Sequence, residues 1–213
     1  MEIDSVSSTL YQGGDLIGVF VFAISGGLAG RRAGLDFFGV VTVGALTGLG
    51  GGIMRDILIG DIPPASLSDW RYIVIATLGA MLPMLVKPTS KRALRSLLVL
   101  DAGGLALFAV ASTTKAYQFG VIPLAAPLIG VLAATGGGAL RDVLTNEIPN
   151  ILRREIYALA ALAGAAIVAL GLWLQWPIVP VAIVGLVVVA GLRILSLRYR
   201  WRSPMQQEDP GLA

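Results

Sequence analysis

The sequence predicts an all-α integral membrane protein with seven transmembrane helices, arranged as two inverted three-helix repeats plus a seventh helix. Composition is the first reason: of 213 residues, 56% are hydrophobic and 14% charged, where soluble domains carry roughly 25% charged residues. Mean hydropathy is +0.81. The second reason is a series of seven apolar runs, each near the ~20 residues that carry a helix across a bilayer. The third is an internal repeat at a shift of 86 residues.

The first run, 10–30, follows a polar segment without a basic residue, so it is read as a retained helix and not as a cleaved signal. The second, 37–59, contains Gly50, Gly51 and Gly52 and then Arg55 and Asp56. The third, 71–87, ends at the basic segment that includes Lys87, Lys91, Arg92 and Arg95. Runs four (96–114) and five (121–144) echo the first two: Asp101 lies early in one, and Gly136, Gly137 and Gly138 precede Arg141 and Asp142 in the other. The sixth run is 156–174 and the seventh 178–197. These spans leave no room for a soluble domain, and the polar tail at 203–213 reads as disordered.

The chain contains no cysteine and no histidine. Disulfides, thiolate and imidazole chemistry and the commonest zinc and haem ligands are therefore absent, so neither an enzyme nor a cofactor is expected. The net charge of +3 has a topological source. With seven spans, 12 of the 16 basic residues fall on one side, in clusters after spans 1, 3, 5 and 7, while Arg71 and Lys115 are read into the opposite loops. The positive-inside rule then puts the N-terminus outside and the C-terminus in the cytoplasm of a multi-pass plasma-membrane protein. That accounts for the basic residues without a nucleic-acid partner.

Self-comparison defines the organisation. "GGGIMRDILIGDIP" at 50–63 returns as "GGGALRDVLTNEIP" at 136–149, and the same shift aligns Asp15 with Asp101, Phe22 with Phe108 and Gly44 with Gly130. About 15 of 50 positions match without a gap. The units are 10–87 and 96–174, with 178–197 added after them. Each holds three spans, and an odd number makes the second copy enter the membrane from the opposite side.

Three consecutive glycines weaken a helix by about 2–3 kcal/mol. Close helix packing at small-xxx-small spacing, as at Gly44/Gly48, is one account of them. A broken or kinked helix lining a polar cavity is the other. It also explains the Arg-Asp that follows both triplets, because ionised groups at membrane depth persist where protein or water solvates them. Span 2 reaches Arg55 after about 18 residues, or roughly 27 Å of rise. Matched depths then give two clusters, Asp15/Arg55/Asp56 in the outer half and Asp101/Arg141/Asp142 in the inner half, with Asp15 beside Arg55 and Asp101 beside Arg141. Four carboxylates against two arginines favour cations along such a path, although the same groups could equally be structural ion pairs between helices. Asp61 and Glu147, next to Ile-Pro in both copies, are expected to end or cap helices at the surface. Span serines and threonines are expected to bond back to their own helices. Trp70, Tyr72, Trp173, Trp176 and Trp201 fall at span ends, where interfacial anchors belong.

The doubled "GGGxxRD", with Pro63 and Pro149 seven residues beyond Asp56 and Asp142 and an aspartate early in each repeat, resembles the prokaryotic branch of the trimeric intracellular cation channel (TRIC) family over residues 10–197. The resemblance implies a homotrimer in the bilayer in which each protomer carries its own pore for potassium or other monovalent cations. By position, Gly50–Gly52 and Gly136–Gly138 would be helix kinks, and Asp15, Arg55, Asp56, Asp101, Arg141 and Asp142 the polar lining. Animal members use a lysine-containing motif that this sequence lacks. The same domain is also described as a glycine transporter, and a secondary transporter of a small amino acid fits inverted repeats equally well.

Overall fold

The computed structural model describes residues 2–85, 91–153 and 155–199, and the side chains of 2–10, 91–94, 153 and 155 are outside that description. The tail at 203–213, the basic residues Lys87, Arg154, Arg200 and Arg202, Trp201, and the side chains of Lys91, Arg92 and Arg153 lie outside the described residues. Among the described residues the chain is helical and has no strand. In order come α1 (Glu2–Arg32), α2 (Phe37–Ile59), α3 (Ala65–Ser68), α4 (Trp70–Met81), α5 (Lys91–Gln118), α6 (Ala126–Leu144), α7 (Asn150–Arg153), α8 (Glu155–Trp173) and α9 (Ile178–Arg198).

Six of these helices are long and apolar enough to cross a membrane. The third expected span is shorter, an apolar segment of α4 continued by one 3-10 turn at Leu82–Leu85. Pro83 lies in that turn; it has no amide hydrogen and obstructs the preceding turn, so an α-helix does not run smoothly through it. Arg31, counted above only for topology, donates from Nη1 to the Pro83 and Met84 carbonyls at 2.7 and 2.9 Å. It thus satisfies carbonyls that the turn leaves open.

Local sequence sets the other boundaries. Asp36 caps α2 by accepting from the Gly39 amide at 2.8 Å, a contact worth about 1 kcal/mol. Helices α1 and α5 end on Gly34 and Gly120, at φ 78° and 83°. Only glycine enters that left-handed region without cost, and the two are repeat counterparts.

The glycine triplets lie within unbroken helices. Helical structure is continuous through Gly50–Gly52 in α2 and through Gly136–Gly138 in α6, so neither helix is broken there. The triplets are where α2 and α6 cross. A Cβ on Gly51 would fall on the Ala133 carbonyl oxygen, and one on its counterpart Gly137 would fall on the Thr47 carbonyl oxygen. Likewise Gly50 meets Leu140 and Gly136 meets Met54. Each contact is mirrored by its repeat counterpart, the signature of a pseudo-two-fold relation between the units. Intimate backbone packing offsets the ~1 kcal/mol per residue that glycine costs a helix.

Phe22 of α1 and its counterpart Phe108 of α5 stack at the same centre, with ring centroids 5.4 Å apart and both side chains fully buried. Gly18 and Gly104 make room for these rings. Helix α9 packs outside the duplicated units, against α5 and α8.

Candidate functional site

Two charged clusters flank the stacked phenylalanines in sequence and share one plan. In the first, Arg55 on α2 reaches Asp15 on α1 (Nη1 to Oδ1, 2.6 Å) and its own neighbour Asp56 (Nε to Oδ1, 2.8 Å). In the second, Arg141 on α6 reaches Asp101 on α5 at 2.8 Å and Asp142 at 2.7 and 2.8 Å. Both expected pairings, Asp15 with Arg55 and Asp101 with Arg141, are present. All six residues are buried, none more than 6% exposed. In this conformation the aspartates and arginines face one another. In a low-dielectric interior a charge left without a partner costs several kcal/mol, and mutual pairing removes that cost.

The second oxygen of each motif aspartate has a separate task. Asp56 Oδ2 accepts from the Ala65 amide at 2.9 Å, opening α3, and Asp142 Oδ2 accepts from the Asn150 amide at 2.9 Å, opening α7. These short helices after Ile-Pro are counterparts at a shift of 85, one residue less than the helices before them. The capping expected of Asp61 and Glu147 is thus performed by Asp56 and Asp142. A conserved spacing of 86 hides this match, because a single residue is missing between Pro149 and α7.

Several side chains join the clusters that sequence reasoning placed elsewhere. Lys115 is not in a loop: it lies in α5, 2% exposed, and its ammonium binds Asp56 Oδ1 at 2.7 Å and Asp61 Oδ2 at 2.6 Å. The charge count of four carboxylates against two arginines therefore omits a cation. Ser112 and Ser25 accept from Arg55 and Arg141, at 3.4 and 2.7 Å, instead of bonding back to their helices. Thr47, Thr113 and Thr135 do bond back, at 2.6 to 2.8 Å. Tyr72, expected at the interface, is buried, while Trp70, Trp173 and Trp176 are exposed near helix ends. Its counterpart at a shift of 85, Tyr157, donates to Asp101 Oδ1 at 3.4 Å. The signal that could have found these tyrosines is the second, shorter register.

A half-open cavity of about 500 Å³ adjoins the first cluster, lined in part by Tyr11, Asp61, Asp69, Arg71, Tyr72 and Lys115. At its rim, hydrogen bonds from Arg71 hold the Asp69 carboxyl below its usual range. Lys115 also faces the rings of Tyr11 and Phe119, at 5.9 and 5.5 Å. Among the described residues no three acidic side chains converge to hold a metal ion.

The family model described as "Glycine transporter" matches twice, over residues 14–88 and 98–173. A UPF0126 membrane protein of Deinococcus radiodurans is 41% identical over 194 residues, covering 90% of this chain and 86% of that one. The UPF0126 inner membrane protein YadS of Escherichia coli K12 is 36% identical over 192 residues, covering 89% and 93%.

The chain belongs to the UPF0126 family.

Solved structures join this family to the TRIC fold. The chain is similar to the TRIC trimeric intracellular cation channel orthologue from Rhodobacter sphaeroides, with TM-score 0.85 and 36% identity over 92% of this chain and 100% of that one. It is also similar to a prokaryotic TRIC channel solved in 0.5 M KCl, with TM-score 0.83 and 34% identity over 92% and 100%. As a UPF0126 protein with this fold it is a multi-pass protein of the plasma membrane.

Proposed function

We propose that this UPF0126 protein is a cation channel, conducting potassium or other monovalent cations through a path within each protomer of a homotrimer. The observation that carries the reading is the pair of buried arginine–aspartate clusters repeated on α1, α2, α5 and α6, in a chain that resembles TRIC cation channels over nine-tenths of its length. The distribution of basic residues supports an N-terminus outside and a C-terminus inside, with inverted units at 10–87 and 96–174 and an added helix at 178–197. On that topology Asp15, Arg55 and Asp56 form an outer gate, and Asp101, Arg141 and Asp142 an inner one. Both gates are shut in this conformation, because Arg55 and Arg141 are each paired with two aspartates. Opening them exposes an excess of aspartate oxygens, which attract cations and exclude anions.

Lys115 seals the outer gate from the cavity side. Replacing it by methionine removes the counter-ion of Asp61 and one of the two cations on Asp56, so potassium efflux from loaded liposomes is expected to rise several-fold. Efflux equal to wild type would take Lys115 off the path. A glycine transporter would need a free cation and a free carboxylate for the zwitterion, whereas Arg55 and Arg141 are already satisfied within the chain. Saturable glycine uptake by the same liposomes, without potassium efflux, would replace the channel reading by that one.

A further inference from the structure

The duplication supplies both gates with the same parts: an aspartate from the first helix of each unit, the Arg-Asp of the second, a serine across the interface, and a tyrosine from the third. They differ in what covers them. The tyrosine of the first cluster, Tyr72, borders the open cavity with Lys115. The repeat counterpart of Lys115 is Ala29 on α1, so the Asp101 cluster has no equivalent cation from within the duplication.

That cation comes from outside the duplication. Arg193 of α9 is 1% exposed, and its guanidinium carbon lies 4.7 Å from the centre of the Tyr157 ring. Tyr157 is itself 1% exposed, and its hydroxyl donates to the same Asp101 oxygen that accepts from Arg141. The α9 backbone is locked beside it: Val189, one turn earlier, fills the space over Gly164 of α8, and the Ser196 hydroxyl donates to the Arg193 carbonyl at 2.8 Å.

We propose that Arg193 is the positioning residue of the Asp101 cluster, clamping the Tyr157 ring over Asp101 so that the added seventh helix keeps that end shut and leaves the Asp15 end to Lys115. A guanidinium held over a tyrosine ring restrains the ring and places positive charge near Asp101 and Asp142. Loss of this contact frees the ring and admits water to Arg141 and Asp101. The electrical side of this inference rests on the channel reading above; the structural side does not.

Because the chain has no cysteine, Ser25→Cys and Ser112→Cys each place one thiol in one cluster. Their labelling rates with a charged methanethiosulfonate reagent, on full-length protein in detergent, report water access to each end separately. Adding Arg193→Gln is expected to speed labelling of the S25C thiol by about tenfold or more, as an easier local opening would, and to leave the S112C thiol unchanged. Arg193→Lys keeps the charge but replaces the planar guanidinium over the ring by a compact ammonium, so an intermediate rate is expected even where the glutamine variant folds poorly. Equal acceleration at both thiols, or wild-type labelling of S25C in the folded lysine variant, would overturn the proposal. Selective acceleration in a protein that passes no current would support Arg193's role while removing the channel reading.

Discussion

Arg141→Ala is expected to lower the stability of the folded protein by about 3–5 kcal/mol, the range found when one partner of a buried ion pair is removed. Arg141 is 1% exposed and is the cation between Asp101 and Asp142. Its removal leaves two buried carboxylates facing each other and takes the donor from Ser25. The loss should therefore exceed that of a single hydrogen bond, which is about 1 kcal/mol. Adding Asp101→Asn to Arg141→Ala should recover part of the stability, because it deletes one of the two stranded charges. Denaturant titration in detergent micelles measures both. A loss below about 1 kcal/mol for the single variant, or no recovery in the double, would mean that the cluster is hydrated and does not hold the helices together.

Gly137→Ala is expected to cost about 3 kcal/mol, at the upper end of ordinary overpacking, because the added methyl meets the backbone carbonyl of Thr47 and cannot be relieved by a rotamer change. The same substitution at Gly52 has a different outcome. A Cβ there finds its nearest neighbours at 3.7 Å, on Phe108, and 3.9 Å, on Arg55. Gly52→Ala should be neutral or stabilise by up to about 1 kcal/mol through helix propensity. The contrast discriminates between two roles for the triplets. Glycines that serve as hinges would respond alike, whereas glycines that serve a helix crossing respond by position. Similar effects at the two sites would return the triplets to a hinge role.

The clusters were readable in the sequence for a specific physical reason. Charges on apolar helices need partners, and duplication tells which depth each partner occupies, so Asp15 could be matched to Arg55 and Asp101 to Arg141 before any coordinates. Lys115 was missed because a lysine near the end of an apolar run reads as a loop residue by hydropathy alone. In the fold, its long stem lets the ammonium turn inward to Asp56 and Asp61. Arg193 was missed likewise, counted with the basic residues that end span 7 while it lies over the Tyr157 ring. The triplets read two ways in the sequence, because a string of glycines weakens a helix whether it bends or is crossed. Only the position of the neighbouring backbone distinguishes the two, and no local pattern encodes that. Tyr157 and α7 do not line up with Tyr72 and α3 at the 86-residue shift, because one residue fewer after Pro149 moves their register to 85.

The most direct test of the central claim is the reversal potential of purified protein in a planar bilayer under a tenfold potassium chloride gradient. Discrete openings that reverse near the potassium equilibrium potential are predicted, since the groups uncovered when the arginine pairs separate are carboxylates. Openings that reverse near the chloride potential, or a silent bilayer from protein that takes up glycine saturably in liposomes, would contradict it.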